Sequence, residues 1–323
     1  MKVAIIGAGG RVGACTAYAL QWGGVVSDVV LHDKITQAVE GETLDLFHGS
    51  ALLHDQRFQV GDIECCAKAN LIVVTAGMRR QPHESRLDLA SRNAVVFLEI
   101  LNELKTVGLR QDAILIVVSN PVDVLSCLAV MESDLPPHRI IGLGTLLDSC
   151  RFSSLIAQAI GAAPTQVRAF ILGEHGDSMV PIWSSAVWAG IPLAKHPKLP
   201  EAEKRRIEDS TRESGAEIIR LKGGAGWAVA TSIAVLIHSV VLDQRKVLPV
   251  STWQTGTYGL RNVCLSVPTI IGAEGVVAHL EPELWPRELQ GLRRSEQVVR
   301  ESLTRITESL GRLSHTRNSS SRG

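Results

Sequence analysis

The sequence has 323 residues, and at ~100–200 residues per domain two domains are the simplest division. It carries 33 Lys plus Arg against 33 Asp plus Glu, 45% hydrophobic residues and 28 Gly, the profile of a soluble globular protein rather than a collagen-like, disulfide-scaffold or disordered one. A net charge of zero lacks the basic excess that phosphate-backbone binding needs, so no nucleic-acid partner is expected.

In chain order, Lys2–Ile6 reads as a strand, Gly7–Gly13 as a glycine turn and Arg11–Gln21 as a helix. Asp28–His32 is a second strand, followed by a helix around Gln37–Phe47. Leu71–Thr75 and Ile114–Val118 are further strands, with a helix from about Leu87 to Lys105 between them, and Ile140–Leu143 closes the series. Continuous apolar strands alternating with helices predict a parallel sheet buried on both faces. Beyond Gly142 the rhythm changes. Helices are predicted at Leu146–Ile160, Glu201–Leu221, Trp227–Asp243 and Pro286–Leu310, and strands at Val167–Leu172, Lys246–Val250 and Asn262–Ser266. The expected division is a doubly wound α/β domain over residues 1–142, an α+β domain over 143–311, and a polar, disordered tail over 312–323.

The longest apolar stretch, Ala228–Leu242, is interrupted by Thr231, Ser232, His238 and Ser239, short of the ~20 clean residues a membrane span needs. No signal peptide is expected either, because Lys2 leads straight into a strand that Gly7 and Gly9 end early. Six cysteines without a CxxC pair are expected to be reduced thiols in a cytoplasmic protein. His32, His48 and His54 have no metal-ligand spacing, and no metal is expected.

Gly7-Ala8-Gly9-Gly10-Arg11-Val12-Gly13 lies between strand and helix, where glycines let the backbone turn tightly and approach a pyrophosphate at the helix N-terminus. It reads either as GxxGxxG, on Gly7, Gly10 and Gly13, or as a one-residue expansion of GxGxxG. Asp33 ends the second strand, twenty residues after Gly13, where an acid binds ribose hydroxyls and repels a 2′-phosphate; the expected cofactor is NAD, not NADP. Downstream, His175 sits in a glycine-flanked turn directly after a strand (Leu172–Ser178, LGEHGDS). Asp148 and Arg151 lie three apart, on one face of a helix. Thr75-Ala76-Gly77, followed by Arg79, Arg80, Pro82 and Arg86, forms a basic loop at the carboxyl end of a parallel strand, the edge at which open α/β sheets bind ligands. A basic loop near a dinucleotide, with a carboxylate available to hold a histidine, points to redox chemistry on an anionic substrate.

With these motifs, and with Val118–Leu125 (VSNPVDVL), Gly142–Thr145 (GLGT), Val250–Thr252 (VST) and Val267–Gly275 (VPTIIGAEG), the chain resembles the lactate/malate dehydrogenase family from Lys2 to about Leu310. The resemblance implies a Rossmann domain followed by a catalytic domain, and a reversible hydride transfer between NADH and a 2-keto acid. It implies that His175 is the proton donor and acceptor, that Asp148 holds it, that Arg151 grips the substrate C1 carboxylate, and that Arg86 polarises the carbonyl. Asn120 would bond near substrate and nicotinamide; Thr75, Ala76, Gly77 and Asn93 would line the cofactor.

The family's discriminator is the residue six before the loop arginine, here Arg80, with Ala225 as a second position. Arginine at the first and a small residue at the second predict malate/oxaloacetate, while Glu84–Leu89, Trp227 and the final helix look lactate-type, so lactate/pyruvate is the alternative. His83 stands where both groups usually carry glycine. The resemblance also implies a homo-oligomer, a tetramer or else a dimer. Activation by fructose 1,6-bisphosphate is not expected, because Ser153 replaces the arginine that regulated members use, although Arg168 lies near their histidine position.

Overall fold

The computed structural model describes residues 1–78 and 84–320, with only the backbone described for Arg86 and for residues 312–320. Its first half is built from β1 (Lys2–Ile6), α1 (Arg11–Gly23), β2 (Asp28–His32), α2 (Thr36–Ser50), β3 (Arg57–Val60), α3 (Ile63–Ala67), β4 (Leu71–Val74), α4 (Arg86–Val107), β5 (Ile114–Val117), α5 (Val122–Glu132) and β6 (Ile140–Gly142). The second half comprises α6 (Leu146–Ile160), β7 (Val167–Leu172), β8 (Val180–Trp188), β9 (Ile191–Pro192), α7 (Glu201–Lys222), α8 (Trp227–Val241), β10 (Lys246–Thr255), β11 (Arg261–Gly272), β12 (Gly275–His279) and α9 (Pro286–Ser320).

Strand pairing gives the parallel order β3-β2-β1-β4-β5-β6, the doubly wound arrangement whose ligand crevice lies where the order reverses, between β1 and β4. Because successive residues of a strand point to opposite faces, β1 feeds two cores. Ala4 and Ile6 pack with Phe97 of α4 and Leu125 of α5, whereas Val3 and Ile5 pack with Leu20 of α1 and Ile237 of α8. Burial on both faces is why these strands are apolar runs rather than alternating ones.

The predicted strands and helices of the first half are present, but the chain also forms β3, α3 and α5, which local pattern does not reveal. In α5 every residue from Val122 to Ala129 is buried, so no polar stripe marks a helical period. The two predicted domains also share a sheet. Antiparallel strands β10, β11 and β12 continue it beyond β6, meeting it where Ser251 pairs with Gly142. A second sheet, β7-β8-β9, packs with α6 around Phe152 and Trp183, whose rings meet edge-on at 5.0 Å. The backbone of α9 is assigned as far as Ser320. No helix among the described residues is long and apolar enough to cross a membrane.

Candidate active site

The glycine turn starts where β1 ends. The amides of Gly7 and Ala8 both donate to the His32 carbonyl, at 2.8 and 3.0 Å, which folds the chain back over the end of β2. Gly7 has φ of +95°, and a Cβ there would lie 2.5 Å from the Ala76 nitrogen. A Cβ on Gly13 would lie 2.4 Å from the Gly7 carbonyl oxygen; one on Gly10 would lie 3.3 Å from the same atom. Gly7 and Gly13 are thus the positions where no side chain fits, and Gly10 is tighter than usual but not closed.

Asp33 lies just past the end of β2. Its Oδ2 accepts from the Gly9 amide at 3.1 Å and its Oδ1 from the Ile35 amide at 3.2 Å, so the carboxylate is fixed beside the turn with lone pairs left for a diol. Opposite, Thr75 donates its hydroxyl toward the Ile6 and Gly7 carbonyls, both at 3.1 Å, and Ser119 donates to the Ala76 carbonyl at 2.5 Å. A bare backbone turn at a helix N-terminus, walled by residues 75–77 and closed by an acid, fits the pyrophosphate and ribose of NAD.

Asn93, expected beside the cofactor, uses its amide within the protein. Its Oδ1 accepts from Met78 at 2.7 Å and its Nδ2 donates to the Asn120 carbonyl at 2.8 Å. It ties the root of the basic loop to the segment carrying Asn120.

Asp148, 0% exposed on α6, is the centre of the second cluster. Its Oδ1 accepts from Arg151 Nη1 at 2.9 Å, and its Oδ2 accepts from His175 Nδ1 at 2.5 Å. That bond leaves Nε2 of His175 as the nitrogen available to a ligand. Burial disfavours a charged ring, but the Asp148 carboxylate, its hydrogen bond and the charge of Asp123 outweigh that effect, and the histidine pKa is raised. Burial likewise raises the Asp148 carboxyl, yet His175 and Arg151 overcome it and its pKa is lowered. The pair therefore favours imidazolium against carboxylate. Arg151 Nε is buried without a hydrogen-bond partner among the described residues, a donor edge that an anionic ligand would satisfy.

His175 and Asn120 line a cavity of about 730 Å³, together with Glu174, Leu87 of α4 and Arg294 of α9. Ala225 does not line it; it is half-buried beside the glycine turn, packed against the core of α1 and α8. Arg79, Arg80 and His83 lie outside the described residues, and Arg86 opens α4 as a backbone position. Two contributors went unassigned from sequence: Asp123, whose carboxylate accepts the His175 amide at 2.8 Å, and Ser295, whose hydroxyl accepts the Glu174 amide at 2.6 Å. An acid in the first turn of a helix right after Asn120-Pro121 was a usable signal for Asp123; Ser295 had none.

Fold and site together define an NAD-dependent oxidoreductase of the Rossmann type. Residues 1–142 match the family model for the NAD-binding domain of lactate/malate dehydrogenases, and residues 145–310 match that for their alpha/beta C-terminal domain. The chain belongs to the lactate/malate dehydrogenase family, enzymes that act on a CH–OH group with NAD. It is 38% identical over 307 residues to an L-lactate dehydrogenase of Synechococcus sp. (strain JA-3-3Ab), covering 95% of this chain and 99% of that one. It is 40% identical over 310 residues to an L-lactate dehydrogenase of Salinibacter ruber (strain DSM 13855 / M31), covering 94% and 97%. Among solved structures, the minor L-lactate dehydrogenase of Enterococcus mundtii in its ligands-bound form superposes with a TM-score of 0.90 at 34% identity, covering 94% of this chain and 97% of that one.

Proposed function

We propose that this protein is an L-lactate dehydrogenase, interconverting pyruvate and L-lactate, with His175 as its proton-transfer group. The observation that carries the reading is the His175–Asp148–Arg151 array, built around the buried Asp148 carboxylate. Bound NAD would supply the hydride donor or acceptor. In reduction, the substrate C1 carboxylate meets the Arg151 guanidinium, and a proton passes from His175 Nε2 to the C2 oxygen as that oxygen gains charge; oxidation returns it. Asp148 keeps the ring in the tautomer that presents Nε2 and stabilises the imidazolium before transfer. Arg86 is assigned to polarise the carbonyl, Asn120 to bond beside it, and Thr75, Ala76 and Gly77 to wall the cofactor.

For the substrate, the lactate names of the full-length relatives support pyruvate over the oxaloacetate expected from sequence, and they replace that expectation as the main reading. Arg80 keeps malate/oxaloacetate as a second reading. A guanidinium facing a substrate methyl would lack the partner that a second carboxylate provides, a contact worth ~1.5–3 kcal/mol. Initial rates with NADH and either keto acid decide the matter. We expect kcat/KM to be higher for pyruvate; a preference for oxaloacetate that Arg80→Gln reverses would return the assignment to malate.

A homo-oligomer, tetramer or else dimer, is part of the proposal. It is supported by large apolar side chains left exposed on the α1–α2–α8 side, among them Trp22 at 59%, Phe47 at 62% and Trp227 at 64%. Light scattering at the mass of one 34.8 kDa chain would overturn it. We place the enzyme in the cytoplasm, which its six free thiols support.

A further inference from the structure

Two carboxylates serve the turn that carries His175. Asp148 holds the ring from α6, and Asp123, in the first turn of α5, holds the backbone. The His175 amide donates to Asp123 Oδ2 at 2.8 Å, and the preceding amide, that of Glu174, donates to Ser295 Oγ of α9 at 2.6 Å. Consecutive peptide groups are thus fixed from two different helices.

A backbone anchor alone does not require a charge. Asp123 is 3% exposed, and its Oδ1 makes no close hydrogen bond among the described residues, with the Ser251 hydroxyl the donor that faces the carboxylate. A buried carboxylate served by so few donors is costly, and a neutral acceptor such as asparagine would bond the same amide without burying a charge. The groups facing Asp123 are few. The His175 turn brings His175 and Glu174, β10 brings the Ser251 hydroxyl, and β11 brings the Cys264 thiol, itself in contact with Cys127 of α5. Of these only His175 can carry a positive charge.

We propose that Asp123 is a positioning residue for His175, fixing the backbone of the proton-transfer group and placing a second buried negative charge behind its ring. This rests on the reading of His175 given above. Burial pushes the Asp123 carboxyl up to about 6, with the Ser251 hydroxyl and the His175 amide pulling it back. At neutral pH it is therefore ionised, and it adds to Asp148 in holding the imidazole pKa up. Below that range it protonates and the support lapses.

Asp123→Asn keeps the shape and the acceptor and removes the charge. The measurement is kcat/KM for pyruvate reduction at saturating NADH from pH 5 to 9. The proton donor must be charged, so activity falls as pH rises through the His175 pKa. With Asp123 neutral that limb should move to lower pH, leaving the variant about three- to tenfold slower than wild type near pH 8 and close to wild type near pH 5.5. A variant slowed by one constant factor at every pH, with its limb in place, would make Asp123 a structural anchor only and overturn the inference.

Should Asp123→Asn not fold, Ser251→Ala tests the same point. Losing that hydroxyl raises the Asp123 pKa further and should move the limb in the same direction by less; an unmoved limb overturns the inference. His175→Asn separates the two levels: retained activity would overturn the reading of the site and this inference with it, whereas an unmoved limb in the Asp123 variant overturns this inference alone.

Discussion

Gly13→Ala tests the cofactor assignment where the structure is least forgiving. The new methyl would sit 2.4 Å from the Gly7 carbonyl oxygen and 2.7 Å from the Ala8 Cα. Ordinary contact begins near 3.4 Å, so the turn must retreat from α1 by about 1 Å. Both atoms it meets are backbone, and the Gly7 and Ala8 amides are tied to the His32 carbonyl, so no side chain can rotate away to make room. The strain should cost about 1–3 kcal/mol of stability. Lost amide–phosphate contacts, at ~1.5–3 kcal/mol, should weaken NADH binding by about ten- to a hundredfold. Calorimetric titration with NADH, alongside a thermal melt, reads both quantities. Gly41→Ala is the control: it lies within α2 with nothing inside 4 Å of the added carbon, and should be neutral or stabilising by up to ~1 kcal/mol. Gly13→Ala binding NADH as tightly as wild type would refute the placement of the pyrophosphate on this turn.

Two further outcomes are expected. Asp33 is held by the Gly9 and Ile35 amides and cannot swing clear of a 2′-phosphate, so kcat/KM with NADPH should fall at least about tenfold below that with NADH; equal values at low salt would exclude its role. Fructose 1,6-bisphosphate at millimolar concentration should leave KM for the keto acid unchanged, because the Ser153 hydroxyl bonds the Ala169 carbonyl at 3.3 Å and offers no guanidinium, with Arg168, next to Ala169 in the chain, as a replacement charge; a several-fold drop in KM would show that Arg168 suffices.

The sequence by itself determined the parts that depend on near neighbours. A strand buried on both faces must be apolar throughout, so Lys2–Ile6 and Leu71–Val74 declared themselves. A tight turn under a phosphate must be glycine-rich and an acid must end the next strand, so the Gly7–Gly13 segment and Asp33 were legible too. Local pattern could not say which of those glycines the backbone requires. That depended on Ala76 and the Gly7 carbonyl, which the sheet brings against Gly7 and Gly13.

The roles of His175, Asp148 and Arg151 came from resemblance to a family, not from spacing. Asp148 and His175 stand 27 residues apart, and only the packing of α6 beside the end of β7 brings their side chains together. Asp123 is 52 residues from His175, on a helix so thoroughly buried that its sequence carries no period at all. A carboxylate is left short of donors only once the surrounding elements exclude water and offer it few. That condition belongs to the assembled interior, and the order of residues along the chain does not contain it.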